Sequence, residues 1–217
     1  MNAFIRAGSF VLAIVAGGYV GMASAQDKAD QLVGSLRMFP AALPGIAPSN
    51  GKPDLNEERR RQVYSELREL DQQALPALIR GLADRDVQLR RNVALFLGTA
   101  AGEWYDPSQP RMNVQAALPA LITSLTDSDD RVRELVAQVI GEIGPSAVAA
   151  VPALMKLLTD PSEGSRNSAC LGLAGVGPAA KAALPALRKA LSDKNPTVRR
   201  FAQRAIERIE DVSVRFQ

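Results

Sequence analysis

The feature that most constrains the fold is a short motif that occurs four times. Ala-Leu-Pro-Ala-Leu occupies 74–78, 117–121 and 183–187, and a near copy, Val-Pro-Ala-Leu-Met, occupies 151–155. An aspartate follows each proline by eight residues, and an arginine follows each aspartate by six. The members of this frame are Pro76, Pro119, Pro152 and Pro185; Asp84, Asp127, Asp160 and Asp193; and Arg90, Arg133, Arg166 and Arg199. Proline spacings of 43, 33 and 33 residues indicate stacked supersecondary units, a solenoid.

Each unit predicts two helices. In the second unit, apolar residues recur at three- and four-residue intervals over 118–125 and again over 132–143. Asp127 and Ser128 are expected to supply the turn and the N-cap between these helices. No segment shows the strict alternation that a strand requires. We therefore predict an all-α, right-handed solenoid of about four helix pairs, over approximately 72–100, 114–144, 146–177 and 179–211.

The two ends of the array differ from its interior. At two equivalent positions, the second helices of the first three units carry small residues and the last unit carries polar ones. Gln203 corresponds to Ala94, Ala137 and Cys170, and Glu207 corresponds to Gly98, Gly141 and Ala174. A terminal repeat needs such a polar outer face. At the other end, residues 54–70 predict an amphipathic capping helix, so the solenoid is expected to span 54–217. Residues 26–53 contain four prolines, which favours an extended linker.

The repeated residues resemble a HEAT-repeat protein, in particular the short repeats of the phycobilisome-lyase type. The resemblance rests on "ALPAL" in the first helix, on the Asp…Val-Arg turn, and on "LFLG", "VIGEIG" and "GLAGVG" at the ends of the second helices. It covers about 72–211. The resemblance implies a curved stack whose first helices bend at their prolines.

The N-terminal segment predicts export. Arg6 precedes an uncharged, apolar stretch, and Ala23-Ser24-Ala25 fits the small-residue site of a signal peptidase. We expect residues 1–25 to be a cleaved signal peptide and the mature chain to be periplasmic or extracellular, in a bacterium. The alternative is that the segment is not cleaved and anchors the chain in a membrane. We expect membrane contact only in that case.

Composition excludes several function classes. The chain has no histidine, which removes imidazole metal sites, His-dependent nucleophile pairs and the His-Glu iron sites of HEAT-type hydroxylases. The formal net charge of +3 is too small to indicate nucleic-acid binding. Glu103 and Asp106 are a weak metal signal, and Cys170 fits a packing role. We predict no enzyme activity, no cofactor and no metal.

Two groups of residues are candidates for binding. The frame arginines could form a basic row for an anionic ligand, but their strict pairing with aspartate favours a structural role. Arg91, Arg200 and Arg204 lie outside the frame and are better ligand candidates. The ten extra residues of the first spacing lie within 98–113 and bring Trp104 and Tyr105, residue types enriched at binding hot spots. Alternatively, these two aromatic rings cover the core at the interruption.

These observations predict a non-enzymatic scaffold or adaptor that binds another protein in the bacterial envelope. The expected contact surface is the second-helix face together with the 98–113 loop. Two alternatives stay open: a binder of an anionic envelope polymer or other anionic ligand on the arginine row, and an accessory module of a neighbouring enzyme.

Overall fold

The computed structural model describes residues 24–39, 55–102 and 111–210, and these residues form α-helices, 3₁₀ turns and short connections without any strand. The α-helices are α1 (Ala25–Ser35), α2 (Leu55–Leu70), α3 (Leu75–Leu82), α4 (Val87–Ala101), α5 (Leu118–Ser124), α6 (Asp130–Ile143), α7 (Val151–Leu157), α8 (Glu163–Val176), α9 (Leu184–Ala190) and α10 (Pro196–Glu210). The pairs α3–α4, α5–α6, α7–α8 and α9–α10 correspond to the four predicted repeats, and the all-α solenoid is confirmed.

The repeated proline begins the first helix of each repeat. Pro76, Pro119, Pro152 and Pro185 each lie in the first turn of a short α-helix that continues from a 3₁₀ segment. An N–H in the first turn has no acceptor within its own helix, so proline's missing N–H costs little there, and its fixed φ suits a helix start. The proline thus lies where the 3₁₀ segment changes into the α-helix, and the bend that the resemblance implied stays a prediction.

The second helices stack side by side and supply the contacts between repeats. Helix α6 packs between α4 and α8, and α8 packs between α6 and α10. Ala94, Ala137 and Cys170 are fully buried in this stack. Gln203, their counterpart in the last repeat, is exposed, as is Glu207. Small residues therefore let neighbouring helices approach closely inside the array, and polar residues cover its C-terminal end.

Two glycines reverse the chain between repeats. Gly144 and Gly177 follow α6 and α8 with φ values of 74° and 65°, in the region that only glycine adopts at little cost. The continuous helical stretches across them, Asp130–Leu157 and Glu163–Ala190, are long and apolar enough to cross a membrane by composition. Each contains this reversal and is partly buried in the stack, so each consists of the second helix of one repeat and the first helix of the next.

The N-terminal part of the predicted linker is a packed helix, which corrects the linker over 26–39. Ser24 and Asp27 form a capping box at the start of α1. Ala29, Val33, Leu36 and Phe39 are buried, and α1 packs against α2 and α3. Helices α1 and α2 thus precede the four repeats as an additional pair. The rest of the linker (40–53), Asp54 and the signal segment up to residue 23 lie outside the described residues.

Candidate interaction surfaces

The frame arginines connect each repeat to the next one. Arg90 donates from Nε and Nη2 to the two carboxylate oxygens of Asp127, at 2.7 and 2.9 Å. Arg133 binds Asp160 and Arg166 binds Asp193 in the same two-pronged way, at 2.8 to 3.0 Å. All six side chains keep only 6–14% of their surface exposed. Such bidentate, largely buried pairs are both directional and stronger than single ion pairs at the surface.

Each arginine is also anchored within its own repeat. The Nη1 groups of the four frame arginines donate to the carbonyl oxygen of the aspartate six residues earlier, at 2.7 to 2.9 Å. The Nε and Nη2 edge therefore points away from the repeat that carries it. In Arg90, Arg133 and Arg166 this edge meets the aspartate of the following repeat. In Arg199 the same edge has no carboxylate partner among the described residues.

The turn aspartates are held from two sides. Asp193 Oδ1 accepts the backbone N–H of Asn195 at 2.8 Å, while Arg166 donates to both of its oxygens. The hydrogen bond from Arg166 lowers the pKa of Asp193, against the opposing effect of burial, and the backbone N–H adds to the lowering. The N-cap of α6 is Asp129, two residues after the turn aspartate, and not Ser128 as the sequence suggested.

Arg91 belongs to a second row of contacts between repeats, which corrects its prediction as a free ligand-binding residue. Its Nε donates to Asp129 Oδ1 at 2.9 Å and its Nη2 to Asp129 Oδ2 at 2.5 Å. The hydrogen bond from Arg91 lowers the pKa of this N-cap carboxylate despite its burial. One repeat later, Glu134 occupies the position of Arg91 and accepts a hydrogen bond from the Ser162 N-cap at 3.4 Å. In the first two repeats, the residue after the frame arginine thus contacts the N-cap of the next repeat.

Arg200 and Arg204 are the other two predicted ligand residues, and both are exposed on α10. Their guanidinium carbons lie 5.4 and 5.9 Å from the ring centre of Phe201, which is half-buried between them. Arg208 extends the same helical face by one turn. In the part of the chain that the structure describes, none of these three arginines forms an ion pair. Sequence reasoning missed Phe201, although its place between two candidate arginines at helical spacing could have identified it.

In the first repeat, the turn aspartate Asp84 pairs with an arginine of the N-terminal segment. Arg37, in the 3₁₀ turn Leu36–Met38, donates to Asp84 at 2.6 Å and lies 3.9 Å from Asp86. Asn92, fully buried on α4, donates to the carbonyl oxygens of Leu36 and Phe39 at 2.8 and 2.9 Å. These contacts hold the segment on the first repeat. Arg37 therefore occupies the place that the preceding repeat's arginine takes elsewhere.

The inserted loop is described only at its ends. Trp104 and Tyr105, together with Glu103 and Asp106, lie outside the described residues. After them, Met112 and Val114 are buried, and the Met112 N–H donates to Ala100 O at 2.8 Å. A shallow open groove of about 280 Å³ lies beside this return segment, between Ala101 and Glu142. The loop is therefore fixed at its base to the end of α4.

Cys170 is fully buried in α8, between α6 and α10. Burial raises the pKa of its thiol to about 12. A thiol in this state is a poor nucleophile and metal ligand at neutral pH. The described residues contain no group of three or more acidic or sulfur-bearing side chains that could hold a metal ion.

Comparison with known proteins places this architecture in a family. The family model described as HEAT repeats matches residues 101–174 and 151–215, which together make up more than half of the chain. The chain belongs to the HEAT-repeat family. A comparison with curated protein sequences finds no significant match.

Solved structures share the fold of these HEAT repeats. The complex of CpcE and CpcF of phycocyanin lyase from Nostoc sp. PCC7120 is 19% identical, with a TM-score of 0.59, and the match covers 82% of this chain and 96% of that one. A designed armadillo repeat protein in complex with the peptide (KR)4 is 20% identical, with a TM-score of 0.55, and the match covers 85% of this chain and 91% of that one. At these identities the likeness establishes the fold.

Proposed function

We propose that this HEAT-repeat protein is a non-enzymatic scaffold that binds another protein in the bacterial envelope. The observation that carries the proposal is the contrast along the array. The frame arginines up to Arg166 are held in ion pairs between repeats, whereas Arg200 and Arg204 flank Phe201 on an exposed helix face. Arginine beside a partly exposed aromatic ring is typical of binding hot spots. The 98–113 loop, with Trp104 and Tyr105, is the second proposed contact.

Export and the absence of catalysis are parts of the same proposal. Support for export comes from the apolar segment and the small-residue site at 23–25. Ser24 caps α1, so cleavage after Ala25 would remove the side chain that satisfies the Asp27 N–H. Mass spectrometry of the chain purified from its native envelope would give the mature N-terminus. A chain that still begins at Met1 in the membrane fraction would instead establish an anchor.

Affinity capture from the envelope of the source bacterium tests the scaffold. The baits would be the chain from residue 26, the Trp104→Ala/Tyr105→Ala variant, the Arg204→Glu variant and, as a matched charge control, Arg59→Glu on α2. We expect a defined protein to be recovered by the parent and the control and lost by Arg204→Glu, by the loop variant, or by both. Equal recovery of that protein by all four baits would refute both surfaces, and recovery of no protein by the parent would refute the scaffold.

A second candidate, binding of an anionic polymer or other anionic ligand, is favoured by the stripe of Arg200, Arg204 and Arg208. The two functions differ in their dependence on salt. Binding that releases counterions from a polyanion weakens steeply with ionic strength, whereas a contact anchored by aromatic side chains weakens mildly. Titration of the chain with a model polyanion such as heparin at low and at physiological salt separates them. An accessory role beside an enzyme would appear in the capture experiment as an enzyme among the recovered proteins.

A further inference from the structure

The contact between the first two repeats shows how an arginine pair binds an acidic turn. Arg90 and Arg91 are adjacent, and each forms two hydrogen bonds with one carboxylate of the segment Asp127-Ser128-Asp129. The first of these aspartates closes the turn and the second caps α6, since Asp127 accepts from Asp129 N and Asp129 from Val132 N. The pair thus recognises two carboxylates, separated by one residue, at the start of a helix.

The same arginine pair recurs at the C-terminal end of the array. Arg199 and Arg200 occupy the positions of Arg90 and Arg91, whereas the second and third repeats have only one arginine at these two positions. Arg199 is anchored as Arg90 is, with Nη1 donating to Asp193 O at 2.7 Å and to Lys194 O at 3.2 Å. Its Nε and Nη2 edge is therefore already oriented, and both arginines are exposed. Orientation before binding reduces the conformational entropy that binding would otherwise cost.

We propose that Arg199 and Arg200 form a receptor for an Asp-X-Asp turn at the N-terminus of a helix in a partner protein. This rests on the proposed function and identifies the chemistry of the partner. Charge complementarity supports this receptor, and the Arg90-Arg91 contact is its template within the same chain. Apart from the half-buried Phe201, the surrounding surface is polar, with exposed Gln203 and Glu207, so the partner engages the edge of the last turn and does not continue the apolar stack.

A second copy of this chain fits the receptor less well than a different protein. The Asp-X-Asp turn of a second copy that is not used between repeats is Asp84-Arg85-Asp86, since Asp127 and Asp129 are bound inside the array. Asp84 is already bound by Arg37, and the packed α1 helix covers the adjoining helix α3. Arg37 and α1 therefore cover this turn at the N-terminal end of the array, whereas no described residue pairs a carboxylate with Arg199 or Arg200 at the other end.

The test uses a labelled peptide with the sequence of residues 126–142, which carries the Asp-Ser-Asp turn and most of α6. Its binding to the full chain would be measured by fluorescence anisotropy at physiological salt. A peptide in which both turn aspartates are replaced by asparagine is the first control. On the protein side, Arg199→Gln/Arg200→Gln is compared with Arg59→Gln/Lys181→Gln, which removes the same charge from two exposed positions elsewhere.

We expect the parent peptide to bind, and binding to weaken at least tenfold with the asparagine peptide and with Arg199→Gln/Arg200→Gln, but not with the charge control. A third variant, Arg199→Lys/Arg200→Lys, keeps the charge and removes the two-pronged geometry, so it should also bind more weakly. No binding of the parent peptide up to about 1 mM, or equal binding to the lysine variant, would overturn the receptor. Equal binding of the parent and asparagine peptides would also overturn the receptor, and this comparison uses the parent protein alone, so it does not depend on whether a variant folds.

These outcomes can be distinguished from success or failure of the scaffold proposal. If the peptide result is negative but the envelope capture still recovers a protein, the receptor fails and the scaffold stands. If the capture recovers nothing while the peptide binds in the expected way, the arginine pair is a receptor and the scaffold proposal fails. A size-exclusion measurement that shows a dimer sensitive to Arg199→Gln/Arg200→Gln would assign the receptor to a second copy and refute the different partner.

Discussion

Gly175 is the position at which the structure predicts the largest effect of a single methyl group. A Cβ at Gly175 would overlap the carbonyl oxygen of Gly141 and lie 2.5 Å from its Cα. The obstacle is the backbone of α6, which cannot move aside as the end of a side chain can. Gly175→Ala must therefore separate α6 from α8, the most extensive contact between second helices. Overpacking of this kind costs about 1–3 kcal/mol.

Gly98→Ala is the matched control, because its new Cβ would meet only Val139 Cγ2 at an ordinary 3.6 Å. Both changes gain about 1 kcal/mol of helix propensity. The difference between the two variants therefore isolates the contact, at about 1–3 kcal/mol, or roughly 3–10 °C in the unfolding midpoint of a chain of this size. Urea and thermal unfolding followed by circular dichroism would measure it. Equal stability of the two variants would show that α6 and α8 are not in backbone contact.

Two further predictions concern the ion pairs and the buried thiol. Asp193→Asn leaves Arg166, which is 5% exposed, without its counter-charge and should lower the free energy of unfolding by about 2–4 kcal/mol, measured in urea. The pKa of Asp193 is lowered in the folded chain, so its contribution to the free energy of unfolding is complete above the unfolded pKa near 4 and is lost as pH falls through the folded value. Asp193→Asn should therefore lose less stability in acid than the parent chain. A parallel loss in both chains would contradict the pairing. The pKa of the Cys170 thiol is raised to about 12, so this thiol should react with a thiol reagent only when the chain unfolds. Unfolding should also be independent of reductant. Rapid labelling of the folded chain would place the thiol at the surface.

The sequence predicts the repeats well because each repeat encodes its own frame. The proline, the aspartate and the arginine recur at fixed offsets, and the small residues at 94, 137 and 170 mark the buried face without any knowledge of the neighbours. Periodic information of this kind suffices for the helix pairs and their order. The polar residues Gln203 and Glu207 likewise mark the C-terminal end of the array.

Pairings between repeats are harder to predict, because they join residues that no local pattern relates. Arg91 looked free since its partner, Asp129, belongs to the next repeat and also serves as an N-cap. Helix α1 was missed because only a few apolar residues lie between polar ones ahead of a proline-rich stretch, and its docking depends on Asn92 and Asp84, about fifty residues away. The binding candidates in the 98–113 loop remain predictions.

The arginine-to-aspartate contacts also restrict how such an array can change length during evolution. Each contact takes its base from one repeat and its acid from the following one, so no repeat carries a matched set by itself. Deletion of the second repeat would place Arg90 opposite Asp160, which preserves the frame contact, but it would place Arg91 opposite Ser162, which cannot neutralise it. Loss of this unit would therefore preserve the contact at the first position and leave Arg91 without an acidic partner at the second, so the first two repeats form a matched pair.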